Sequence, residues 1–273
     1  MTAGLPVIVA PGVRRILAGN PGMMTGAGTN TYLLGAGEVA VLDPGPDDAA
    51  HLRNIRAAAG GGLRWVIVTH THPDHSPLAT RLARESGARL IGLAPPLDGR
   101  QDEGFVPDLE PRDGETLTLG GVDLVAIHTP GHASNCVCYL LVAHKLLFTG
   151  DHVLGGVSPV ILPPDGDMAA YIHSLDKLAA FDFERIAPGH GDVLAQGKRV
   201  VEQLRAHRMQ REAKVLRCLT APATIDALVA FVYDDVPCER HGWAKLTLQA
   251  HLIKLARESK VREQQGIWRA IAE

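Results

Sequence analysis

Four cysteines in 273 residues are too few to staple a chain of this size. Cys136-x-Cys138 places two thiols on one face of an expected strand, which is neither a zinc-knuckle nor a redox spacing. A disulfide scaffold is set aside, and the thiols read as buried or idle. No run of about 18 uncharged apolar residues occurs, so no membrane-crossing helix is expected. The start, MTAGLPVIVAPGVRRIL, lacks the basic-then-apolar order of a secretory signal. The expectation is a soluble, cytoplasmic protein without a membrane partner. Internal repeats and low-complexity tracts are also lacking.

Net charge is small, −3, but unevenly spread. Residues 1–197 carry 13 Lys/Arg against 21 Asp/Glu, whereas residues 198–273 carry 14 against 9. The sign change from net −8 to net +5 marks a candidate domain boundary between residues 197 and 198. What the chain does have is 46% hydrophobic residues, enough for one large core and a small second one.

Up to about Pro188, short β-branched runs alternate with helical segments, each bounded by Gly, Pro, Asn or Asp. Helices are expected over Asp47–Ala59, Pro77–Glu85 and Met168–Ala180, the last opened by the carboxylates of Asp165-Gly166-Asp167. Eleven strands are expected, among them Val39–Leu42, Trp65–Thr69, Asp123–His128, Lys145–Phe148 and Arg185–Ala187. Strands outnumber helices and many are a hairpin apart, so an α/β (α+β) architecture of face-to-face sheets with outer helices is expected rather than a simple βαβ winding. Residues 94–115 read as a long loop that lines or covers a site. Beyond Gln196 come helices near 205–219, 224–233 and 243–259, then short strands Val261–Glu263 and Trp268–Ile271, the outline of a winged helix.

The chemistry concentrates in Trp65-Val-Ile-Val-Thr-His70-Thr-His72-Pro-Asp74-His75, an apolar strand running into a turn with three imidazoles and a carboxylate. In extended chain His70 and His72 point the same way, so both can grip one ion. Pro73 breaks that path and allows Asp74 and His75 to reach a second ion beside the first. Imidazole with carboxylate suits zinc, and also iron or manganese, with positions left open for water. Three later segments repeat the pattern of strand, tight turn and donor: Ile127-His128-Thr-Pro-Gly-His132, Leu147-Phe-Thr-Gly150-Asp151 and Ile186-Ala-Pro-Gly-His190. If these strand ends lie together, His132, Asp151 and His190 complete two sites that share a carboxylate. His51, His128, His144, His152, His173, His207, His241 and His251 read as surface or core histidines. Ser134 and Asn135 either touch substrate or turn the chain.

His70, His72, Asp74, His75, His132, Asp151 and His190 in this order resemble the metallo-β-lactamase superfamily, over about residues 5–195. The resemblance implies a four-layer αββα sandwich. It implies that His70, His72 and His132 hold one metal, Asp74, His75 and His190 a second, and that Asp151 bridges them. Hydroxide shared by the ions would attack an ester or phosphodiester, with Asp74 orienting it or moving its proton and Asp151 completing the catalytic set. Asp43 matches a family position beside the ligands, against its plain reading as a turn-forming Asp before Pro44.

Subfamily features narrow the substrate. The penicillin-destroying zinc enzymes most often carry Cys where this chain has Asp151. The tail of about 70 residues and the stretch Leu162–Tyr171 resemble the lactamase-β-like-protein-2 group, which includes endoribonucleases acting on single-stranded RNA. Arg205, Arg208, Arg211, Lys214 and Arg217 recur every third residue and wind around a helix instead of forming a phosphate track. On the last helix only Thr247, His251, Lys254 and Glu258 make a polar wedge, and docking on the catalytic domain or a second copy fits it better than reading a groove. Three readings follow: a phosphodiesterase on RNA or a related phosphoester, a glyoxalase II-like hydrolase of thioesters or small acyl esters, and a non-catalytic metal-stabilised binding protein. The second lacks that group's recognisable glutathione-binding residues.

Overall fold

The computed structural model describes residues 2–271. Six strands form the first sheet in sequence order: β1 (Pro6–Ala10), β2 (Val13–Leu17), β3 (Asn30–Leu34), β4 (Val39–Leu42), β5 (Leu63–Ile67) and β6 (Arg89–Ile91). Strands β1 to β4 pair antiparallel, and β4–β5–β6 are parallel. The parallel crossovers are α1 (Ala49–Ala59) and α2 (Pro77–Ser86). The second sheet has the order β11-β10-β9-β8-β7, from β7 (Thr116–Leu119), β8 (Val122–His128), β9 (Val137–Leu141), β10 (Leu146–Gly150) and β11 (Arg185–Pro188). Helix α3 (Met168–Leu178) precedes β11.

Side-chain alternation sorts these strands into layers. Ala40, Leu42 and Ile67 face Leu124, Ala126, Leu146 and Phe148 between the two sheets. Their neighbours Val39, Val41, Val66 and Val68 turn the other way and pack under α1 and α2 with Leu52, Ile55, Leu78 and Leu82. Ile127 and Leu147 turn outward under Tyr171, Ile172 and Leu175 of α3. Each buried Leu or Ile stabilises the sandwich by about 1.5–3 kcal/mol. Four layers, αββα, result. Asp48 and Asp167 accept from His51 N and Ala170 N and so cap α1 and α3.

Helix α4 (Gly197–Cys218) is longer than the expected 205–219. Its first two turns place Val200, Val201 and Leu204 on the α3 core, and a Cβ on Gly197 would stand 2.8 Å from Phe183. Tertiary packing here overrides the weak helix preference of a glycine and two valines. The far end of α4 carries Val215 into a separate core with α5 (Ile225–Val232), α6 (His241–Arg257) and Val261. Strands β12 (Ala223–Thr224), β13 (Val261–Gln264) and β14 (Ile267–Ala270) make the wing, in which β12 was not expected from the sequence. No helix among the described residues is long and apolar enough to cross a membrane.

The polar wedge of α6 is turned inward except at Glu258, which is exposed at the helix end. Lys254 Nζ donates to Glu212 Oε2 of α4 at 2.7 Å, and His251 and Thr247 are buried beside it. Arg205 pairs with Asp176, Lys214 with Asp234, and Arg211 bidentately with Asp235 at 2.7 and 2.8 Å. Three of the basic positions of α4 are thus paired with acids of the fold.

Candidate metal centre

Five strands deliver their C-terminal ends to one rim: β4 leads to Asp43, β5 to His70, β8 to His132, β10 to Asp151 and β11 to His190. Strands β8 and β10 both run antiparallel to β9, and β10 parallels β11, so the second sheet presents all three ends on one side. The rims of the two sheets are stitched together. Val137 N donates to Thr69 O at 2.8 Å, and Asn30 N donates to Gly189 O at 2.8 Å.

The side chains meet in two groups. His70, His72 and His132 bring one donor atom each within 4.8 Å of the others, and Asp74, His75, Asp151 and His190 do the same. His132 Nε2 and His72 Nδ1 approach to 2.9 Å. In the second group His75 Nε2 lies 3.3 Å and His190 Nε2 3.4 Å from Asp151 Oδ1, while Asp74 Oδ2 lies 3.0 Å from His190 Nε2. Asp151 Oδ2 points the other way, 3.8 Å from His132 Nε2. One carboxylate therefore faces both groups.

The outer nitrogens explain why the inner ones are free. His75 Nδ1 donates to Asp43 Oδ2 (3.1 Å), His132 Nδ1 to the Val160 carbonyl (2.8 Å) and His190 Nδ1 to the Gly28 carbonyl (3.1 Å). Thr69 Oγ1 donates to Asp43 Oδ2, so its lone pair accepts from His70 Nδ1 at 3.0 Å. These bonds fix the tautomers and leave each Nε2 lone pair pointing inward. The Nε2 atoms of His70, His75 and His190 and Oδ1 of Asp151 are buried with no hydrogen-bond partner. Buried polar atoms left unpaired in this way are costly, and a cation at each group satisfies them. The donor set of imidazoles and carboxylates, without thiolate, fits divalent ions.

Electrostatics agree. Burial opposes charge on His75, yet Asp74 and Asp151 hold it well above its ordinary value. Burial likewise opposes charge on His190, and Asp151 and Asp74 raise it to about 9. Two carboxylates in a dry pocket demand positive charge, which protons supply on these imidazoles and an ion would supply instead. His72 is pushed down to about 3 by burial and by His132, against the weaker opposing pull of Asp151, and so stays a neutral donor. Asp74 is the most exposed member; burial would raise it, but His75 and His190 pull it down to about 2.

Close packing holds this geometry. A Cβ on Gly189 would lie 2.6 Å from His75 Cε1 and 2.7 Å from Asp151 Oδ1. Gly131, at φ 147°, lies against Tyr171, where a Cβ would come within 2.4 Å of Cα.

Residues 24–190 match the model of the metallo-beta-lactamase superfamily. The chain belongs to that superfamily. Residues 224–268 match the beta-lactamase-associated winged helix domain. A beta-lactamase-like protein 2 homolog of Drosophila melanogaster is 32% identical over 272 residues, spanning 92% of this chain and 89% of the relative. An atrochrysone carboxyl ACP thioesterase of Aspergillus chevalieri is 31% identical over 271 residues, spanning 93% and 83%. A metallo-beta-lactamase family protein from Thermus thermophilus has the same fold, with a TM-score of 0.80 at 24% identity over 97% of this chain and 100% of that one.

Within this metallo-beta-lactamase fold, Asp43 is more than a turn residue. It is buried, takes a left-handed φ of 49°, and accepts from Thr69 N (2.7 Å), Thr69 Oγ1 (2.8 Å) and His75 Nδ1. Asn135 braces the loops, its Nδ2 donating to Thr71 Oγ1 at 2.7 Å. Ser134 is exposed, with its N–H bonded to Asp165 Oδ2. His51 and His128 bond Thr31 and the Pro111 carbonyl, and His152 is buried against Tyr171. Thr69, Gly28 and Val160 act on these donors through hydroxyl or backbone atoms, and Gly189 by having no side chain. Only Gly189, one residue before His190, had a sequence signal, the Pro-Gly turn.

Proposed function

We propose that the chain is a dinuclear zinc hydrolase of acyl thioesters or related acyl esters. In this reading His70, His72 and His132 hold one ion, Asp74, His75 and His190 the other, and Asp151 both. When bound, two such ions acidify a shared water and polarise the scissile carbonyl. Asp74, an ionised carboxylate at the open edge of the cluster, orients the attacking water and takes its proton. That proton then goes to the departing thiolate or alkoxide as the tetrahedral adduct collapses. His75 is kept in register by Asp43, and His132 and His190 by backbone carbonyls, so the donors do not reorganise during turnover. Chemistry belongs to residues 1–197, against which residues 198–273 pack through Val201 of α4 and Ala250 of α6.

The observation that carries the reading is the convergence of unpaired buried donors on the two faces of Asp151. An acyl substrate is favoured over RNA because Arg211 and Lys214 of α4 are paired with Asp235 and Asp234, and Lys254 of α6 with Glu212. The loops tied to the ligands carry exposed Met23, Met24 and Val157, a setting for an apolar acyl group rather than a polyanion. The thioesterase relative points the same way.

The test combines metal analysis with a panel of acyl thioesters and a fluorogenic RNA. Two equivalents of zinc and thioester turnover that disappears in His72→Ala and Asp151→Ala are expected. Turnover of RNA alone would restore the phosphodiesterase reading. Fewer than two metals, with unchanged stability after chelation, would end the dinuclear one, and a fully metallated protein inert to every ester would favour a binding role.

A further inference from the structure

Arg208 lies midway along α4, the helix whose first turns pack on α3 and whose last turns join the core of α5 and α6. It is 3% exposed. Arg205, Arg211 and Lys214 of the same helix each meet a carboxylate, whereas Arg208 meets none among the described residues. Its guanidinium donates to the Pro159 carbonyl and lies 5.1 Å over the ring of Tyr171, and its Nε has no partner. A buried cation compensated so weakly is costly. An apolar side chain of similar volume would fill the space at lower cost, so packing does not account for a guanidinium here. The bond to Pro159 does.

That bond falls on a segment with few others. From Gly156 to Ile161 the backbone makes no hydrogen bond to other backbone among the described residues. Ile161 anchors the far end in the core under α3. The polar anchors are three side chains: Arg208 at the Pro159 carbonyl, His132 Nδ1 at the Val160 carbonyl (2.8 Å), and His207 Nδ1 beside Ser158 Oγ at 3.5 Å, the outer limit of a hydrogen bond. The Pro159 and Val160 carbonyls sit on consecutive peptide planes hinged at one Cα. Holding the first therefore limits where the second can point. Arg208 also reaches the cluster through Tyr171. The hydroxyl of that tyrosine donates to the carbonyl of His152, one residue after Asp151, at 2.9 Å, and its backbone lies against Gly131, one residue before His132.

We infer that Arg208 is a positioning residue for the His70, His72 and His132 group. By holding the Pro159–Val160 peptide it keeps the Val160 carbonyl on His132 Nδ1, and so keeps Nε2 of that imidazole aimed at the ion. The C-terminal module thereby has a task that needs neither nucleic acid nor contact with substrate. Packing of Val215 with Leu248 and Leu252 of α6 seats α4 where Arg208 meets the loop. The inference rests on the reading of those three histidines as one metal group.

Competitive zinc titration of the full chain against a chelator tests it, read equivalent by equivalent in Arg208→Met, which keeps an unbranched apolar stem but neither the charge nor the donors. One equivalent should weaken by about 10–100-fold, and it should be the one that His132→Ala abolishes. Arg208→Lys, which keeps the charge and a donor, should recover part of the loss, and it decides the same comparison if the methionine variant does not fold. In a His132→Ala background Arg208→Met should change the remaining zinc affinity no further, whereas in a His190→Ala background it should keep its full effect. An arginine with a merely structural role would lower the urea midpoint and leave both equivalents unchanged or weaken both alike. Either result overturns the inference. If His132→Ala itself leaves both equivalents unchanged, the metal reading fails and the inference with it; a loss there that Arg208→Met does not share removes the inference alone.

Discussion

Replacing Asp43 with alanine tests how the scaffold controls the metal centre without touching a ligand. The carboxylate is buried and accepts three bonds, from Thr69 N, Thr69 Oγ1 and His75 Nδ1, at 2.7, 2.8 and 3.1 Å. Its removal leaves three buried donors without an acceptor and strips His75 of a charge partner. Breaking a buried pair of this kind costs about 3–5 kcal/mol, less than the sum of three separate bonds because the loop relaxes. Loss of the residue that aims a ligating imidazole typically weakens metal binding by about 10–100-fold. The structure makes that loss unequal. His75 belongs to the second group, whereas Asp43 reaches His70 only through Thr69. Urea unfolding of the zinc-free protein reads the first effect, and competitive zinc titration against a chelator reads the second, equivalent by equivalent. Asp43→Asn, which keeps one acceptor oxygen, should lose less in both assays and remains foldable if the alanine variant is not. Equal weakening of both equivalents, or no change in either, would refute the idea that Asp43 works through His75.

Further outcomes follow from the same geometry. His51 is buried and burial depresses it to about 4, so the unfolded chain binds the extra proton between its ordinary 6.5 and that value. Stability present above pH 6.5 is lost as pH falls through this window, by about 3 kcal/mol, and His51→Gln should flatten the pH dependence of the urea midpoint. Gly189→Ala forces a Cβ against His75 and Asp151 and should destabilise by about 1–3 kcal/mol while weakening any metal binding at the His75 group, read by thermal melts with and without metal. Lys254→Met leaves Glu212 buried without its closest cation and should cost about 3 kcal/mol, whereas Lys254→Met with Glu212→Leu should recover most of it in chemical denaturation. A double variant no more stable than the single one would mean that this pair is not what binds α4 to α6.

Much of the fold was legible because burial on both faces of a sheet leaves a plain record. Val39–Leu42 and Trp65–Ile67 are apolar at every position, as strands covered on both sides must be, and the Pro-Gly turns mark where each strand releases a donor. The spacing His70-x-His72 and the break at Pro73 suggest two groups, and donor atoms of His70 and His72 gather with His132 while those of Asp74 and His75 gather with Asp151 and His190, although the His70 and His75 rings are only 4.2 Å apart. The long α4 was only half legible. Its first eight residues are helical because they pack on α3, and that contact has no trace in local propensity.

The amino-acid sequence by itself determined the inventory of donors, their order along the chain and the strand ends that carry them, because these depend on residue type and on a period of two. Tertiary structure alone decided which groups hold those donors in aim. Thr69, Gly28 and Val160 act through hydroxyl or backbone atoms that any sequence could offer, and Asp43, which the sequence leaves between a turn residue and a neighbour of the metal cluster, is decided only by its contact with His75. It also decided the fate of the basic tail. Arg211 and Lys214 meet acids about twenty residues away, while Arg208 is carried into the interior beside a cavity and left without one, a difference of side-chain direction on one helix that only the packed molecule specifies.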